Sequence, residues 1–406
     1  MPILFQINST ANWGSTGRIA EEIGQTAMSQ EWTSYLAYGR NMIPSSLLLF
    51  KVGTRWDIYS HVFESRLFDR HGLASRNATR NLIQQITRIH PDIIHLHNIH
   101  GYYLNYPELF GYLSKKSIPV VWTLHDCWAF TGHCANYDYV DCRKWLVGCH
   151  DCPQRKSYPT SLFYDRSARN YADKRHWFSS VKQMTLVPVS EWLATEVKRS
   201  FLRHYPVQVI HNGIDTSIFK PQTVRKESFG LEGKFVVLGV ASPWSQRKGL
   251  DDFIKLRALL PDDCVVVLIG LNNKQIASLP DGIVGISRTN DVHELAAYYS
   301  VADVFVNPTW EDNFPTVNLE SLSCGTPVIT YRTGGSIEAV DDVTGYIVKK
   351  RDVRGLADRV LEVKARGKRS YQDLCRFRAV NCFEKKERYS EYITLYEKML
   401  AEKMSV

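Results

Sequence analysis

Asn307-Pro308-Thr309-Trp310-Glu311-Asp312-Asn313-Phe314-Pro315-Thr316-Val317-Asn318-Leu319-Glu320-Ser321-Leu322-Ser323-Cys324-Gly325-Thr326-Pro327-Val328-Ile329 leaves one apolar strand, crosses a polar loop and enters a second strand. The strand over 304–306 ends in Asn-Pro, and two adjacent carboxylates follow. A short helix is then expected from near Pro315 to near Gly325, with the next apolar strand starting at Val328. Such a crossover joins two parallel strands and leaves its loop at their carboxyl ends, where open α/β sheets bind ligands. Asp312 and Glu320 are separated by seven residues. Asp312 lies on the loop and Glu320 inside the helix, so both can face one ligand. Taken alone, the same two acids also read as a helix N-cap region and one solvated glutamate.

Apolar runs alternate with amphipathic stretches on both sides of this segment. The expected strands are 3–7, 34–37, 93–96, 120–124, 185–189 and 207–210, then 235–240, 264–270, 284–285, 304–306 and 328–330. Strands alternating with helices build parallel, doubly wound sheets. A chain of 406 residues exceeds one compact core, and its composition breaks over 211–221. The reading is therefore two α/β domains, 1–210 and 211–382, with a terminal helix over 383–406 that completes the first. Tyr389, Tyr392, Ile393, Tyr396 and Leu400 have the helical spacing that packs it back.

Hydrophobic residues make up 44% of the chain and charged residues 23%, the balance of an ordinary globular protein. No apolar run approaches the roughly 18 residues of a membrane-spanning helix. The N-terminus, Met1-Pro2-Ile3-Leu4-Phe5-Gln6-Ile7-Asn8, lacks a basic region before its apolar stretch and reads as a first strand, which places the chain in the cytosol. The net charge of +8 fits an anionic substrate or an anionic membrane face. No nucleic-acid-binding signature accompanies it, so nucleic acid is not an expected partner.

The segment around Asp312 and Glu320 resembles the E-x7-E region of the retaining family 4 glycosyltransferases, of the bacterial exopolysaccharide and colanic-acid type, with Asp at the first position. Ser321-Leu322-Ser323-Cys324-Gly325-Thr326-Pro327-Val328 resembles the family run E-A-M-A-x-G-x-P-V that follows. The resemblance implies the GT-B fold: two Rossmann-like, doubly wound α/β domains facing across a cleft, the first for the acceptor and the second for a nucleotide-diphospho-sugar donor. It implies that Glu320 holds the nucleotide ribose. Asp312, or Glu311 beside it, holds the transferred sugar, with Asn313, Phe314, Pro315 and Thr316 completing that side.

Lys248-Gly249 matches the family's K-G element, which implies that Lys248 meets the diphosphate. The family's second clamp, an Arg five or six residues earlier, is replaced by Ser242-Pro243, and Arg247 is the substitute in reach. Both also read as exposed helix-cap charges. Gly14-Ser15-Thr16-Gly17 resembles the family's first glycine loop near the diphosphate, with Arg18 behind it. His125, at the carboxyl end of the strand over 120–124, matches a family His near the sugar and the reaction centre. Gly270 and the Ser287-Arg288 loop line the nucleotide side, and Asn212-Gly213-Ile214-Asp215 resembles the hinge that opens the second domain. His95, His97 and His100 read as packed or acceptor-side residues rather than metal ligands.

Cys134, Cys142, Cys149 and Cys152, with Cys127, place five cysteines in 26 residues. In a cytosolic chain this grouping points to a four-thiolate structural zinc on the acceptor side, with reduced thiols, a redox-sensitive loop or, after these, an iron–sulfur cluster as the alternatives. The resemblance also implies donor binding without a cofactor, because that fold requires no D-x-D metal motif. The expected activity is retaining transfer of a sugar to a hydroxyl of a glycan or polyprenyl-diphosphate-linked acceptor in surface-polysaccharide biosynthesis, at the inner face of an anionic membrane. A sugar-nucleotide epimerase of the same fold, or a non-catalytic carbohydrate-binding protein, are the alternatives.

Overall fold

The apolar runs of the first half become six parallel strands: β1 (Ile3–Asn8), β2 (Thr33–Tyr38), β3 (Leu48–Lys51), β4 (Ile93–Leu96), β5 (Val120–Leu124) and β6 (Met184–Pro188), in the order β3-β2-β1-β4-β5-β6. The computed structural model describes residues 1–404. Helices α1 (Gly14–Ser29), α2 (Arg55–Phe68), α3 (Arg76–Ile89), α4 (Tyr106–Leu113), α5 (Ser167–Phe178) and α6 (Glu191–Arg199) connect these strands or follow them. The second half repeats the plan with β7 (Phe235–Val240), α7 (Leu250–Arg257), β8 (Cys264–Ile269), α8 (Asn273–Ala277), β9 (Ile283–Ile286), α9 (Val292–Val301), β10 (Val304–Asn307), α10 (Thr316–Ser323), β11 (Val328–Tyr331) and β12 (Gly345–Val348). Its parallel order is β12-β11-β10-β7-β8-β9. α11 (Val353–Arg366), α12 (Arg369–Phe383) and α13 (Lys385–Met404) follow.

The chain divides into two compact units, Met1–His211 with Arg388–Val406, and Asn212–Glu387. Most of α13 therefore belongs to the first unit. Its Tyr389, Tyr392, Ile393 and Tyr396 are buried in one cluster with Leu4, Ile93, Val121 and Val187 of the sheet. Among the described residues, no helix is long and apolar enough to cross a membrane.

Two strands fall outside the expected set, β3 and β12, and each stands at a sheet edge. An edge strand is covered on fewer sides, so its residues need not all be apolar; Leu48 is exposed and Tyr346 half-buried. The stretch 207–210, expected as a strand, forms only an isolated bridge, Leu186 with Val207. Its backbone still bonds to β6, Gln208 N–H to Leu186 O at 3.0 Å and Ile210 N–H to Pro188 O at 3.3 Å. Pro188 and Pro206 remove a donor from each side, which stops the ladder.

In each sheet the winding reverses once, between β1 and β4 in the first unit and between β7 and β10 in the second. The carboxyl ends of those strand pairs are where this architecture places ligands.

Candidate functional site

In the second unit, β7 and β10 deliver two segments to the switch point: 241–249 after β7 and 308–315 after β10. Gly249, at φ +80°, brings them together. A Cβ there would stand 2.3 Å from Pro308 O, so only glycine permits the approach. Trp310 N–H then donates to Arg247 O at 2.8 Å. With the backbones so tied, two cation–carboxylate pairs form side by side. Lys248 Nζ lies 2.6 Å from Asp312 Oδ2, and Arg247 Nε lies 3.6 Å from Glu311 Oε1. Asp312 and Lys248 are half-buried, whereas Glu311 is buried. Low local exposure strengthens such contacts over their value in open water.

Three further groups fix this loop, and none had been singled out in the sequence. Asp252 of α7, itself buried, accepts from Trp310 Nε1 at 2.7 Å and from Tyr331 OH at 3.1 Å. The Arg351 guanidinium lies over the Trp310 ring at 4.2 Å. Asn307 Nδ2 donates to Asn318 Oδ1 at 2.8 Å, and Asn318 Nδ2 donates to Ser336 O at 3.0 Å, which locks β10 to α10 and to the turn after β11. The Asn-Pro end of β10 was the only sign of that network visible beforehand.

Glu320 stands in the second turn of α10 and accepts from Tyr299 OH at 2.8 Å. Tyr299 is fully buried, and burial followed by the Glu320 charge holds its phenol well above its ordinary pKa, so it stays a donor. Asn313, Phe314 and Pro315 are buried residues; the Phe314 ring packs on Phe383 at 5.8 Å, and Asn212 Nδ2 reaches Phe314 O at 3.4 Å. These residues shape the loop from beneath, and Thr316 begins α10. Gly270, at φ +99°, packs against the end of β7, where a Cβ would meet Ala241 O at 1.8 Å. Ser287 and Arg288 are exposed just after β9. Trp244 anchors the 241–249 segment by donating to Ile269 O at 2.8 Å.

In the first unit, Gly14 to Gly17 are not a loop. They form the first turn of α1, with Trp13 as N-cap and no side chain capping it; Arg18 is exposed on the same helix. Across the switch point, the ends of β1, β4 and β5 bring His97 and His125 together, Nδ1 to Nε2, at 3.3 Å. The other nitrogen of His97 meets Gln6 Oε1 at 3.0 Å, and the Gln6 amide nitrogen donates to Ala20 O at 2.9 Å. Gln6 Oε1 is thus an acceptor, His97 Nε2 carries a proton, and its Nδ1 accepts from His125 Nε2–H. Burial pushes the His125 pKa down to about 4 and that of His97 well below its usual value, so both rings are neutral near pH 7.

His95 is packed in a separate chain: Tyr396 OH donates to Nδ1 at 2.6 Å, and Nε2 donates to Thr123 Oγ1 at 2.7 Å. His100 bridges Asp126 Oδ2 at 2.7 Å and Tyr158 OH at 2.9 Å.

The loop after His125 is held by buried polar contacts. Lys174 of α5 donates to Trp128 O at 2.7 Å and Thr131 O at 3.0 Å, and its ammonium lies 3.5 Å from the Trp128 ring centroid. Burial brings its pKa down to about 7. His133 Nδ1 pairs with Asp69 Oδ1 at 2.6 Å. Cys134, Cys142, Cys149 and Cys152 all line one small cavity, a donor set of the right chemistry for zinc. They are not drawn to one point, however: among the described residues no three His, Cys, Asp or Glu side chains are arranged to hold a metal ion. The Cys134 thiol hydrogen-bonds Cys152, while Cys149 Sγ accepts from Gly132 N–H at 3.1 Å. The expected four-thiolate set is present as a thiol pair with two flanking thiols.

Two family models match the chain: residues 51–218 match Glycosyltransferase Family 4, and residues 234–365 match Glycosyl transferases group 1. The chain is 25% identical over 367 residues to the putative colanic acid biosynthesis glycosyl transferase WcaC of Escherichia coli (strain K12), covering 86% of this chain and 88% of that one. Sucrose-phosphate synthase from Thermosynechococcus elongatus superposes with a TM-score of 0.72 at 15% identity, over 99% of this chain and 100% of that one. Anabaena Alr3699/HepE, solved in complex with UDP and glucose, does so with a TM-score of 0.67 at 16% identity, over 98% and 99%. These likenesses show the two-domain GT-B fold.

Proposed function

The chain belongs to the group 1 and family 4 glycosyltransferases, and from that premise we propose that it transfers a sugar, with retention, from a nucleotide-diphospho-sugar to a hydroxyl of a lipid-linked glycan. The reaction belongs to surface-polysaccharide biosynthesis at the cytoplasmic face of an anionic membrane. The observation that carries this reading is the double pair at the switch point of the second unit, Lys248 with Asp312 and Arg247 with Glu311. A donor diphosphate competes with the two carboxylates for the two cations. The cations then stand where negative charge develops on the leaving group, and the released carboxylates turn to the sugar hydroxyls. These side-chain cations supply the charge, so donor binding is read as independent of a divalent ion.

Glu320 holds the ribose, oriented by Tyr299. His125, held neutral by its burial, stands on the acceptor side. The colanic acid role in the name of the relative, and the UDP and glucose in the Alr3699/HepE structure, support the substrate class.

The test is a panel of nucleotide sugars, scored for released nucleoside diphosphate with and without a polyprenyl-diphosphate-linked glycan. Product anomers are assigned by NMR. Acceptor-dependent release with the donor anomer kept is the expected result. Conversion of the nucleotide sugar without release would make the protein an epimerase, and binding without turnover a carbohydrate-binding protein.

A further inference from the structure

Helix α2 is turned against the hydrophobic effect. Its buried residues are His61 and Ser65, and His61 is held by polar contacts, Nδ1 to Ser75 Oγ at 2.9 Å and Nε2 from Gly72 N–H at 3.0 Å. Its large apolar side chains face outward instead: Trp56 is 81% exposed, Tyr59 64% and Phe63 61%. The spacing 56, 59, 63 keeps them on one stripe about 10 Å long. An aromatic stripe in water is a surface that something covers.

The stripe continues onto the segment 160–164. Leu162 N–H donates to Arg66 O at 2.7 Å, and the Tyr164 ring lies 5.8 Å from Phe68. Phe163 between them is 67% exposed. Around this apolar strip the exposed charges are mainly basic: Arg55, Arg66, Lys156 and Arg169. Of the acids nearby, Glu64 is bridged to Arg70 at 3.0 Å, Asp57 closes the capping box of α2, and Asp165 accepts from Ser167 N–H at 2.8 Å.

We propose that this face of the first unit is a docking surface for the lipid–water interface of an anionic membrane. Trp, Tyr and Phe are the side chains that settle at headgroup depth, and arginines beside them meet anionic headgroups. Charge complementarity selects this occupant over a second copy of the chain, since two such basic rims would repel. The purpose of the docking, access to a lipid-linked acceptor, rests on the function proposed above; the surface itself does not.

Flotation of the full chain with phosphatidylglycerol vesicles, against phosphatidylcholine vesicles, tests it. The wild type should bind the anionic vesicles at low salt. The Trp56→Ser/Phe63→Ser/Phe163→Ser variant should lose at least about tenfold in binding, with an unchanged thermal midpoint and unchanged nucleoside diphosphate release toward a water-soluble acceptor. Arg55→Gln/Arg66→Gln should weaken binding and flatten its salt dependence. Lys248→Ala should bind vesicles like the wild type, so a failed donor site and a failed membrane face are told apart. Full vesicle binding by the aromatic variant would overturn the assignment. So would a dimer, seen by sedimentation, that the aromatic variant dissolves while the wild type ignores vesicles.

Discussion

Lys248 and Arg247 are neighbours in sequence, yet each meets its own carboxylate, because the 311–312 loop runs alongside them in the same register. That match depends on Gly249 pressing against Pro308, a tertiary contact with no sequence signature. The family resemblance therefore singled out Lys248, Asp312 and Glu320 but left Arg247 ambiguous, since the position usually held by Arg carries Ser242-Pro243. Asp252 and Asn318 were invisible for the same reason: they act on the loop from α7 and α10 through buried bonds. Removing one preorganised charge contact to a developing anion costs about 100-fold in turnover. Lys248→Ala should therefore lower kcat by at least about that factor while leaving the melting temperature within a few degrees, because the half-buried Lys248–Asp312 pair contributes modestly to folding. Steady-state release of nucleoside diphosphate reads it, and near-normal turnover in the folded variant would remove Lys248 from the donor site.

At the scale of elements, the central strands of both sheets were legible, as were the edges β6 and β9, whereas the edges β3 and β12 fell outside the expected set. The loop after β5 was legible as special, through its cysteines, but its support was not. Lys174 sits on α5, 46 and 43 residues beyond Trp128 and Thr131, and holds the carbonyls of both. Lys174→Met keeps the length of the side chain and removes both bonds. The variant should lose about 2–4 kcal/mol, the scale for stranding buried polar groups. Denaturant titration measures it. Hydrogen exchange should show the loss concentrated at Trp128 and Thr131, and protection there equal to wild type would show that the loop is held by something else. Elemental analysis of chelator-free protein checks the thiols: about one zinc per chain would mean that Cys142 and Cys149 close on the Cys134–Cys152 pair.

Across the whole molecule, the two units share a plan but differ in what burial does to their titrating groups. The buried histidines with depressed pKa values lie in the first unit. Burial takes His61 down to about 3 and His125 to about 4, and His71, His95 and His97 well below their ordinary value. In the unfolded chain each takes a proton near pH 6.5, whereas in the folded unit it does so only near its lowered pKa. Above pH 6.5 neither state is protonated and these groups leave stability unchanged. As pH falls below 6.5 the unfolded chain binds more protons, so stability falls steadily until about pH 3 to 4. At pH 5, His61 alone contributes a loss of about 2 kcal/mol. His133 opposes this: burial lowers its pKa, but the bond and charge of Asp69 outweigh burial and raise it, so it adds stability below pH 6.5. One such gain against several losses leaves the first unit acid-labile. In the second unit, Asp215 is drawn to about 2 by Lys385 and Ser217 despite its burial, so its contribution stays intact until the pH drops below 3.8. Calorimetry between pH 7 and 5 should therefore show one of two unfolding transitions moving down by many degrees while the other stays. Hydrogen exchange in β1, β4 and β5 should accelerate over the same range, with β7, β8 and β10 unchanged. Two transitions that move together would mean that the buried histidines do not set the acid stability of the first unit.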